Sequence, residues 1–505
     1  VGYQVRFDSR SKTATRLLTV TDGILLRRLQ DDPFLEDVGI VIFDEFHERG
    51  LESDVCLSMI RRIQQTVLPD LKIVVMSATL AAEPVSEYLG NCPIVRSAGR
   101  QHPVDIQYLP RRDQRPLEQQ ISARLADLLE KTPGHILIFL PGVGEIIRTA
   151  RELEPLASKH EFKLLQLYGD LPLEKQDDVL SPSTQRKVIL ATNVAESSLT
   201  IDGVTGVIDS GLARVMQFNH ALGLDRLELT PISQASAEQR AGRAGRTQPG
   251  VCLRLWQQSQ HRHRPEFERA EIHRVDLSGI LLQLRTWGES DLQSFPWYEA
   301  PPAGAFKHAE QLLERLGAID EPGPTTIGQQ MSRMPVAPRL ARLLLAGHIS
   351  GQPETIATVA ALLSERSPFR KPTDGTPESR RQHRGLSDVW ELLQAFDAAE
   401  HGASSSHQFG RFDRGAGRNI RRVSEQLVRL MRTRLGSEPD PVRPEREVVQ
   451  QALLTAYPDR VARRRKHGQP TGLMVGGRGV KLSPRSVVQE AELFLCIDVD
   501  DKSAN

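Results

Sequence analysis

The sequence predicts an α/β protein that begins with parallel sheets and continues into mainly helical domains. Two short apolar runs, Ile40–Phe43 and residues 73–76, each end in polar residues, and the amphipathic stretch 53–66 lies between them. Strand, helix and strand in this order form a βαβ unit, the building block of a parallel sheet. Because Ile40–Phe43 is apolar throughout, we expect that strand to be buried on both faces.

A second series of helices and strands starts near Leu117 and predicts a second parallel sheet. Its first helix is expected at residues 121–131, and its strands at residues 135–140, 163–167, 187–191, 204–208 and 251–255. Helical periodicity returns at residues 273–284, 305–316, 339–346, 354–364 and 423–435. We therefore expect mainly helical domains after the two sheets.

Composition limits the possible partners. The 505 residues are enough for several domains, and 65 Lys and Arg nearly balance 64 Asp and Glu. Any nucleic-acid site must then be a local groove, not a general basic surface. The four cysteines lie far apart without zinc-ligand spacing, which predicts a reducing compartment. No apolar stretch approaches membrane-spanning length, so we expect a cytoplasmic protein with no membrane partner.

Two carboxylates follow the first apolar run directly. Asp44 and Glu45 come after Phe43, and His47 lies in the same turn. Ligands of parallel sheets bind beyond the carboxyl ends of the strands, so a ligand is expected here. An acid that holds a metal, an acid that polarises a water and a nearby histidine suit nucleotide hydrolysis. Acids that only cap the next helix fit these residues equally well, so both interpretations stay open here.

Small hydroxyl residues stand near two other predicted element ends. Ser77 and Thr79 follow the strand at residues 73–76 and are expected to face the same ligand site. Thr21 and Gly23 stand where a helix begins, so a hydroxyl and backbone N–H groups there can meet a phosphate. For Thr21 and Gly23 alone, an ordinary helix cap is the favoured interpretation.

The stretch 239–246 carries the most specific pattern. Arg240, Arg243 and Arg246 recur every third residue on a predicted helix, so we expect them to form one row. Gly242 and Gly245 lie between them, and each weakens a helix by roughly 1 kcal/mol relative to Ala. That cost indicates a close approach of the backbone to another group. Guanidinium groups aimed across a cleft suit a phosphate chain whose charge spreads during transfer. A solvated basic face is the alternative, but it would not explain glycines at this spacing.

Taken together, these stretches resemble the motifs of superfamily 2 helicases, in order and spacing. Residues 44–47, 77–79, 192–200 and 239–246 are similar to motifs II, III, V and VI of the DEAH-box branch. Residues 21–23 resemble motif Ib, and residues 137–142 the region of motif IV. Phe46, where most of the branch has Ala, and residues 167–172 and 456–460 are most similar to the HrpB family of bacterial helicases. The resemblance covers essentially the whole chain.

The resemblance implies two RecA-like domains with ATP in the cleft between them. By position, Asp44 would bind Mg²⁺ through water, and Glu45 would orient or deprotonate the attacking water and contribute to the same metal site. His47 and Gln239 would connect the two domains across the γ-phosphate.

Further roles are implied in the same way. Arg243 and Arg246 would act as arginine fingers, and Thr200 and Asp202 would lie near the nucleotide. The residues that would couple hydrolysis to domain movement are Ser77 and Thr79. The residues that would touch the nucleic-acid backbone are Thr21, Gly23, Thr192 and Asn193.

One departure from the family pattern is serious. The phosphate-binding loop Gly-x-x-x-x-Gly-Lys-Ser/Thr (Walker A) is not found in the 505 residues. In the family this loop lies upstream of the position that matches Val1, so we expect a chain truncated at its N-terminus. The HrpB family usually continues well past the position that matches residue 505, so we expect a truncated C-terminus as well. An incomplete first sheet would expose a raw edge or face. We expect this chain alone to bind ATP poorly and to hydrolyse it hardly at all.

The resemblance also implies a division into five parts. These are the remainder of the first RecA-like domain (1–97), the second RecA-like domain (98–258), a winged-helix domain (259–335), a helical ratchet-like domain (336–437) and the start of an HrpB-type C-terminal region (438–505). The expected function is an ATP-dependent helicase that uses ATP and Mg²⁺ and acts on single-stranded RNA. A nucleic-acid-binding scaffold without motor activity, or the same motor acting on DNA, are the alternatives, because backbone contacts carry little information on sugar or sequence.

Overall fold

The structure, a computed structural model, describes residues 1–5, 8–78, 82–97, 102–169, 171, 173–196, 199–219, 224–321, 323–370, 385–402, 406–407, 409–441 and 443–499. It has the predicted α/β beginning and helical continuation. No helix in these ranges is both long and apolar enough to cross a membrane.

The first part of the chain forms two small sheets covered by helices. Its elements are β1 (Gly2–Val5), β2 (Asp8–Arg10), β3 (Leu18–Val20), α1 (Asp22–Asp31), β4 (Ile40–Phe43), α2 (Leu51–Thr66), β5 (Lys72–Val75) and α3 (Ala82–Tyr88). Strand β1 pairs with β2 and β3, while β4 and β5 form a separate parallel pair in register from Ile40–Lys72 to Phe43–Val75. The predicted βαβ unit is therefore β4, α2 and β5.

Burial of β4 on both faces was the wrong expectation. Val41 and Phe43 are buried, but Ile40 is 50% and Ile42 45% exposed. The buried residues of β4 pack in one core cluster with Val55, Met59 and Ile60 of α2. On the other face Ile40 and Ile42, with Val74 and Met76, remain exposed. The raw face that we expected on the first sheet is therefore present.

The second part contains a complete parallel sheet. Its elements are β6 (Val104–Tyr108), α4 (Leu117–Lys131), β7 (His135–Phe139), α5 (Val143–His160), β8 (Lys163–Leu167), α6 (Leu173–Leu180), β9 (Lys187–Ala191), β10 (Val204–Asp209), β11 (Leu212–Asn219), β12 (Leu224–Pro231), α7 (Gln234–Gly242), β13 (Gly250–Arg254) and α8 (Gln258–Arg262). The sheet order is β6-β13-β10-β7-β9-β8, with every pair parallel. Strands β9 and β10, which were predicted as strands, are buried at every position, so both of their faces are covered.

The antiparallel hairpin β11–β12 was not predicted. It is two-stranded and pairs Leu212 with Pro231 through to Asn219 with Leu224. Met216, Leu227 and Leu229 of the hairpin are exposed.

The remainder is mainly helical. Its elements are α9 (Ser278–Trp287), α10 (Ala303–Arg315), β14 (Ile319–Asp320), β15 (Gly323–Pro324), α11 (Thr326–Ser332), α12 (Pro338–Ile349), α13 (Pro353–Ser364), β16 (Phe369–Arg370), α14 (Asp388–Glu400), β17 (Ser406–His407), β18 (Gly410–Phe412), α15 (Arg414–Leu435), α16 (Glu445–Ala456), β19 (Val461–Arg464), β20 (Thr471–Met474), β21 (Gly479–Lys481) and β22 (Leu493–Leu495). One hydrophobic cluster extends from Ala270 to Tyr457. Helix α15 begins nine residues before its expected start, because Asp413 caps it by accepting from the amides of Gly415 and Ala416.

The core of the first part is shared with residues far downstream. Ile280 and Leu284 of α9, together with Phe295, belong to the same buried cluster as Leu29, in α1, and Phe43. The first sheet is therefore packed directly against the segment 280–298, which brings that segment close to the carboxyl end of β4.

Candidate active site

The carboxyl end of β4 leads into a tight bend, residues 44–49, that we call the acidic bend. Asp44 and Glu45 are both exposed there, and Asp44 Oδ1 accepts a hydrogen bond from the Glu45 amide at 2.9 Å. Glu45 lies in the left-handed region of backbone space (φ 50°, ψ 34°), a conformation that costs a non-glycine residue about 1 kcal/mol. The two carboxylates thus point outward at a strand end instead of capping a helix.

The end of β5 is tied to the same bend. The Phe46 amide donates to the Met76 carbonyl at 3.1 Å, and the Met76 amide donates to the Phe43 carbonyl at 2.8 Å. Ser77, the next residue, is exposed. The predicted coupling residue Ser77 therefore lies beside the acidic bend, whereas Thr79 is outside the described residues.

His47 connects the two sheets. Gln239 Nε2, on α7, donates to His47 Nε2 at 2.6 Å, and His47 Nδ1 lies 3.4 Å from Glu45 Oε2. With Gln239 donating, His47 carries its proton on Nδ1, where it faces the Glu45 carboxylate. The structure thus brings together Glu45, His47 and Gln239, three residues singled out from the sequence.

The expected row of three arginines is wrong for Arg240. Helix α7 ends at Gly242 and a 3₁₀ turn, Arg243–Gly245, follows, so the spacing of three no longer keeps the side chains on one face. Arg240 is 1% exposed, donates to Glu196 Oε2 at 2.8 Å and to Asp209 Oδ1 at 3.0 Å, and lies 4.8 Å from the Phe139 ring centroid. It holds the second sheet together and does not face a cleft.

Arg243 is also largely buried but lies near the acidic bend. It donates to the Leu199 carbonyl at 2.7 Å and to the Glu196 carbonyl. Burial, and secondarily the charge of Arg246, lower the pKa of Arg243 to about 10, while Glu196 and Glu45 oppose that shift. Glu45 of the first sheet is therefore close enough to act electrostatically on Arg243 of the second.

Arg246 is the exposed member of the three. It donates to the Thr200 hydroxyl at 2.6 Å, so these two predicted nucleotide-site residues meet. Asp202 is exposed in the turn before β10. Among the described residues no hydrogen bond joins Asp202 to Arg243 or Arg246.

The two glycines of the stretch differ. A Cβ at Gly245 would lie 2.6 Å from the His102 carbonyl oxygen, so the predicted close backbone approach is present there. A Cβ at Gly242 would meet no described protein atom within 4 Å, so the described part of the chain does not make a close approach at that residue.

Sequence reasoning missed the anchoring role of Glu196 and Asp209. Glu196 binds Arg240 and Ser236 with its carboxylate and Arg243 with its carbonyl, while Asp209 is 0% exposed beside Arg240. Asp209 ends the apolar strand β10, which is the signal that could have identified it. Leaving Asp209 without Arg240 would cost about 3–5 kcal/mol, since its charge would stay buried.

The residues expected to touch nucleic acid fall in two places. Thr21 and Gly23 line a cavity of about 540 Å³ between α1, α9 and the helices α12, α13 and α15. Thr21 occupies the N-cap position of α1 without a capping hydrogen bond from its side chain, so its hydroxyl is not used by the helix. Thr192 and Asn193 follow β9 and, within the described part of the chain, do not line this cavity.

Two regions match known domain families. Residues 120–248 match the helicase conserved C-terminal domain, and residues 337–414 match the ratchet-like helicase associated domain (HA2).

Relatives align along most of the chain. It is 39% identical over 410 residues to the ATP-dependent RNA helicase HrpB of Escherichia coli, which is 80% of this chain and 50% of that protein. It is 35% identical over 504 residues to the pre-mRNA-splicing factor ATP-dependent RNA helicase prp22 of Schizosaccharomyces pombe, which is 96% of this chain and 43% of that protein. The chain thus spans about half the length of the curated relatives it matches, or less.

A solved structure has the same fold. The crystal structure of the E. coli DExH-box NTPase HrpB superposes with a TM-score of 0.75 at 35% identity, covering 95% of this chain and 55% of that one. The chain therefore carries a helicase conserved C-terminal domain and a ratchet-like helicase associated domain, and over 80–96% of its length it is a homologue of DEAH-type RNA helicases.

Proposed function

We propose that the whole protein containing these residues is an ATP-dependent helicase that acts on RNA in the cytoplasm. The observation that carries the proposal is the convergence of two sheets on one point. Glu45 and His47 of the first sheet face Gln239 and Arg243 of the second. Carboxylate and guanidinium groups on opposite sides of a cleft suit phosphoryl transfer from a nucleotide, where charge spreads over the transferred group.

Each group at the cleft has a chemical task in this proposal. Glu45 orients the attacking water and accepts its proton, and His47 and Gln239 keep the two sheets in contact beside it. Arg246, which is exposed, offers its guanidinium to the transferred phosphoryl group. Arg243 reaches the same group only if its bonds to the Leu199 and Glu196 carbonyls are released, so we propose that it engages after the sheets move. Thr200 and Asp202 line the nucleotide side, and Ser77 and Thr79 couple the movement to hydrolysis.

The acidic bend also fits Mg²⁺. Asp44 presents an exposed carboxylate, and no cation within the described ranges forms an ion pair with it. Oxygen ligands with room for several waters are what Mg²⁺ prefers. Asp44 would hold the ion, with Glu45 contributing through water, and the ion would neutralise charge on the phosphates of bound ATP.

We propose that single-stranded RNA binds where Thr21 and Gly23 line the cavity between α1 and the helical domains. The hydroxyl and backbone amides there are suited to phosphate contacts. Thr192 and Asn193 would contact the same RNA strand from the second domain.

We also propose that the chain divides into five parts, at residues 1–97, 98–258, 259–335, 336–437 and 438–505. The two domain matches support this division, because one lies within the second part and the other within the fourth.

Unwinding assays test this proposal. The whole protein should separate RNA duplexes with a single-stranded overhang only when ATP and Mg²⁺ are present, and Glu45→Gln should abolish separation without preventing RNA binding. DNA duplexes of the same sequence should be separated more slowly. Equal rates on RNA and DNA would show that the enzyme does not distinguish the two nucleic acids. ATP-independent RNA binding without unwinding would support the alternative of a scaffold without motor activity.

A further inference from the structure

The acidic bend is strained at both ends. Glu45 (φ 50°, ψ 34°) and Arg49 (φ 50°, ψ 43°) both adopt the left-handed conformation, with a 3₁₀ turn, Phe46–Glu48, between them. Non-glycine residues hold this conformation only when their surroundings impose it. Groups outside the bend must therefore keep Glu45 and His47 in place.

Aromatic rings from far downstream supply one part of that support. The Phe46 ring is 1% exposed, and its centroid lies 5.5 Å from that of Tyr298 in an edge-to-face arrangement. Tyr298 in turn packs edge-to-face on Tyr88 at 5.2 Å, and the Tyr88 hydroxyl donates to the Pro296 carbonyl. Edge-to-face pairs are favourable beyond their buried area, so Tyr298 fixes the ring that follows Glu45.

An ion-pair network supplies a second part. Arg49 donates to Asp54 Oδ2 at 2.8 Å and to Glu299 Oε2 at 2.7 Å, and its guanidinium carbon lies 4.6 Å from the Tyr298 ring centroid. His273 Nε2 lies beside the other Glu299 oxygen. Arg49 is therefore held between Asp54 of helix α2 and the downstream segment.

Backbone contacts supply a third part. The Glu271 amide donates to the Arg49 carbonyl at 3.1 Å, and Glu271 Oε2 accepts from the Leu51 amide at 3.0 Å. The exit of the bend is thus bound on both sides by a residue that lies about 220 positions later in the chain.

We propose that Tyr298 and Glu299 are positioning residues for ATP hydrolysis, which hold the acidic bend so that Glu45 and His47 face the second sheet. The inference rests on the proposed function. His47 reaches Gln239 from within the bend and Glu45 begins it, so a displacement of the bend moves both groups together. Displacements of about 1 Å at a reacting centre are enough to lower a rate roughly 100-fold.

The chain offers a matched control in Glu289. It also lies downstream and also pairs with α2, through Arg62 at 2.9 Å, but it does not contact the acidic bend. Glu289→Gln therefore removes an ion pair between the same two parts of the chain and leaves the support of Glu45 intact. A general loosening of the domains would affect both variants alike.

Hydrogen exchange provides a readout that does not depend on catalysis. The amides of Phe46, Glu48 and Arg49 are hydrogen-bonded, to Met76, Glu45 and Phe46 respectively, and report whether the bend is held. In Glu299→Gln and Tyr298→Ala we expect these amides to exchange about 5-fold faster or more, whereas Glu289→Gln and Tyr298→Phe should match the unaltered protein.

Steady-state kinetics of the whole protein complete the test. Glu299→Gln and Tyr298→Ala should lower kcat about 10-fold with KM for ATP changed less than about twofold, and Tyr298→Phe, which keeps the ring, should restore kcat. Unchanged exchange and kcat in Glu299→Gln, or equal effects in Glu289→Gln, would overturn the inference. Absence of ATP hydrolysis in the unaltered protein would instead refute the proposed function, and faster exchange of the bend alone would still show that Glu299 holds it.

Discussion

His47 and Gln239 lie with their Nε2 atoms 2.6 Å apart, although 192 positions separate them in the chain. The amide nitrogen of Gln239 can only donate, so His47 Nε2 accepts and its proton lies on Nδ1, toward Glu45. This hydrogen bond joins the sheet that carries the acids to the sheet that carries the arginines, and it requires that the imidazole keep its proton on Nδ1.

Gln239→Glu tests this arrangement. A carboxylate can only accept a hydrogen bond, so His47 would have to donate from Nε2 and turn an unprotonated Nδ1 toward the Glu45 carboxylate, which would repel it. We therefore expect hydrolysis by this variant to fall about 10-fold. Steady-state rates of the variant and the unaltered protein check the prediction. Equal rates for the two proteins would contradict it.

Glu45→Gln tests the role of the second acid. The amide keeps the size of the side chain but cannot accept the proton of the attacking water, so turnover should fall by a factor of about 100 or more. ATP affinity should change little, as measured by equilibrium binding. Glu48→Gln, three residues further on in the same turn, serves as the control and should leave turnover within about twofold. Full turnover by Glu45→Gln would remove Glu45 from the mechanism.

Arg243→Ala and Arg246→Ala should differ in stability. Both should lower kcat more than ATP affinity, since the interaction is strongest when charge spreads on the phosphoryl group. Arg243→Ala also deprives the Leu199 and Glu196 carbonyls of a buried donor, which should lower the free energy of unfolding by about 1–3 kcal/mol. Arg246 is exposed, so its loss should change stability little. Urea unfolding and binding titrations separate the two effects, and equal losses of kcat and affinity would argue against a transition-state role.

Acid should remove the stabilising effect of Glu299. Burial raises the pKa of Glu299, but hydrogen bonds and charges from Arg49 and His273 outweigh burial and lower it below 4.5. A carboxyl whose pKa is lower in the folded protein than in the unfolded protein stabilises the fold at pH values above its unfolded-state pKa. That stabilisation is lost as the pH falls through its folded-state pKa.

The unaltered protein should therefore unfold at higher urea concentration than Glu299→Gln at pH 7, and this difference should shrink as the pH falls below about 4.5. Asp54 also faces Arg49, and burial, with a smaller contribution from the charge of Glu299, raises its pKa. Because Asp54 is present in both proteins, only that smaller contribution differs between them. A difference that grows in acid would contradict the assignment.

The second sheet was predictable because its strands are short apolar runs with both faces covered. Residues 163–167 and 187–191 were predicted as strands and form β8 and β9 with the same bounds. The hairpin β11–β12 was not predicted because its strands mix apolar and charged residues. These strands lie outside the covered parallel sheet, so they lack the continuous apolar runs of its strands. Ile40–Phe43 was misjudged for a related reason, since composition does not reveal whether a second layer covers a strand.

The candidate site was predictable as a set of residue types, but its three-dimensional arrangement was not. Asp44, Glu45, His47, Gln239, Arg243 and Arg246 all stand in patterns that indicate nucleotide chemistry. Helical spacing could not show that α7 ends at Gly242, so it could not separate the buried Arg240 from the exposed Arg246. The support from Tyr298 and Glu299 comes from about 250 positions away and leaves no local signal.

The exposed side of the β4–β5 pair has a practical consequence for work with this chain. Four apolar side chains on this side are each between 38% and 50% exposed: Ile40, Ile42, Val74 and Met76. In the described part of the chain no further strand pairs with either edge of β4–β5. Two molecules can hide these side chains from water by stacking against each other, so the purified 505-residue chain should self-associate as its concentration rises. Replacing Ile42 with Lys should shift the sedimentation of concentrated samples back to that of a single chain.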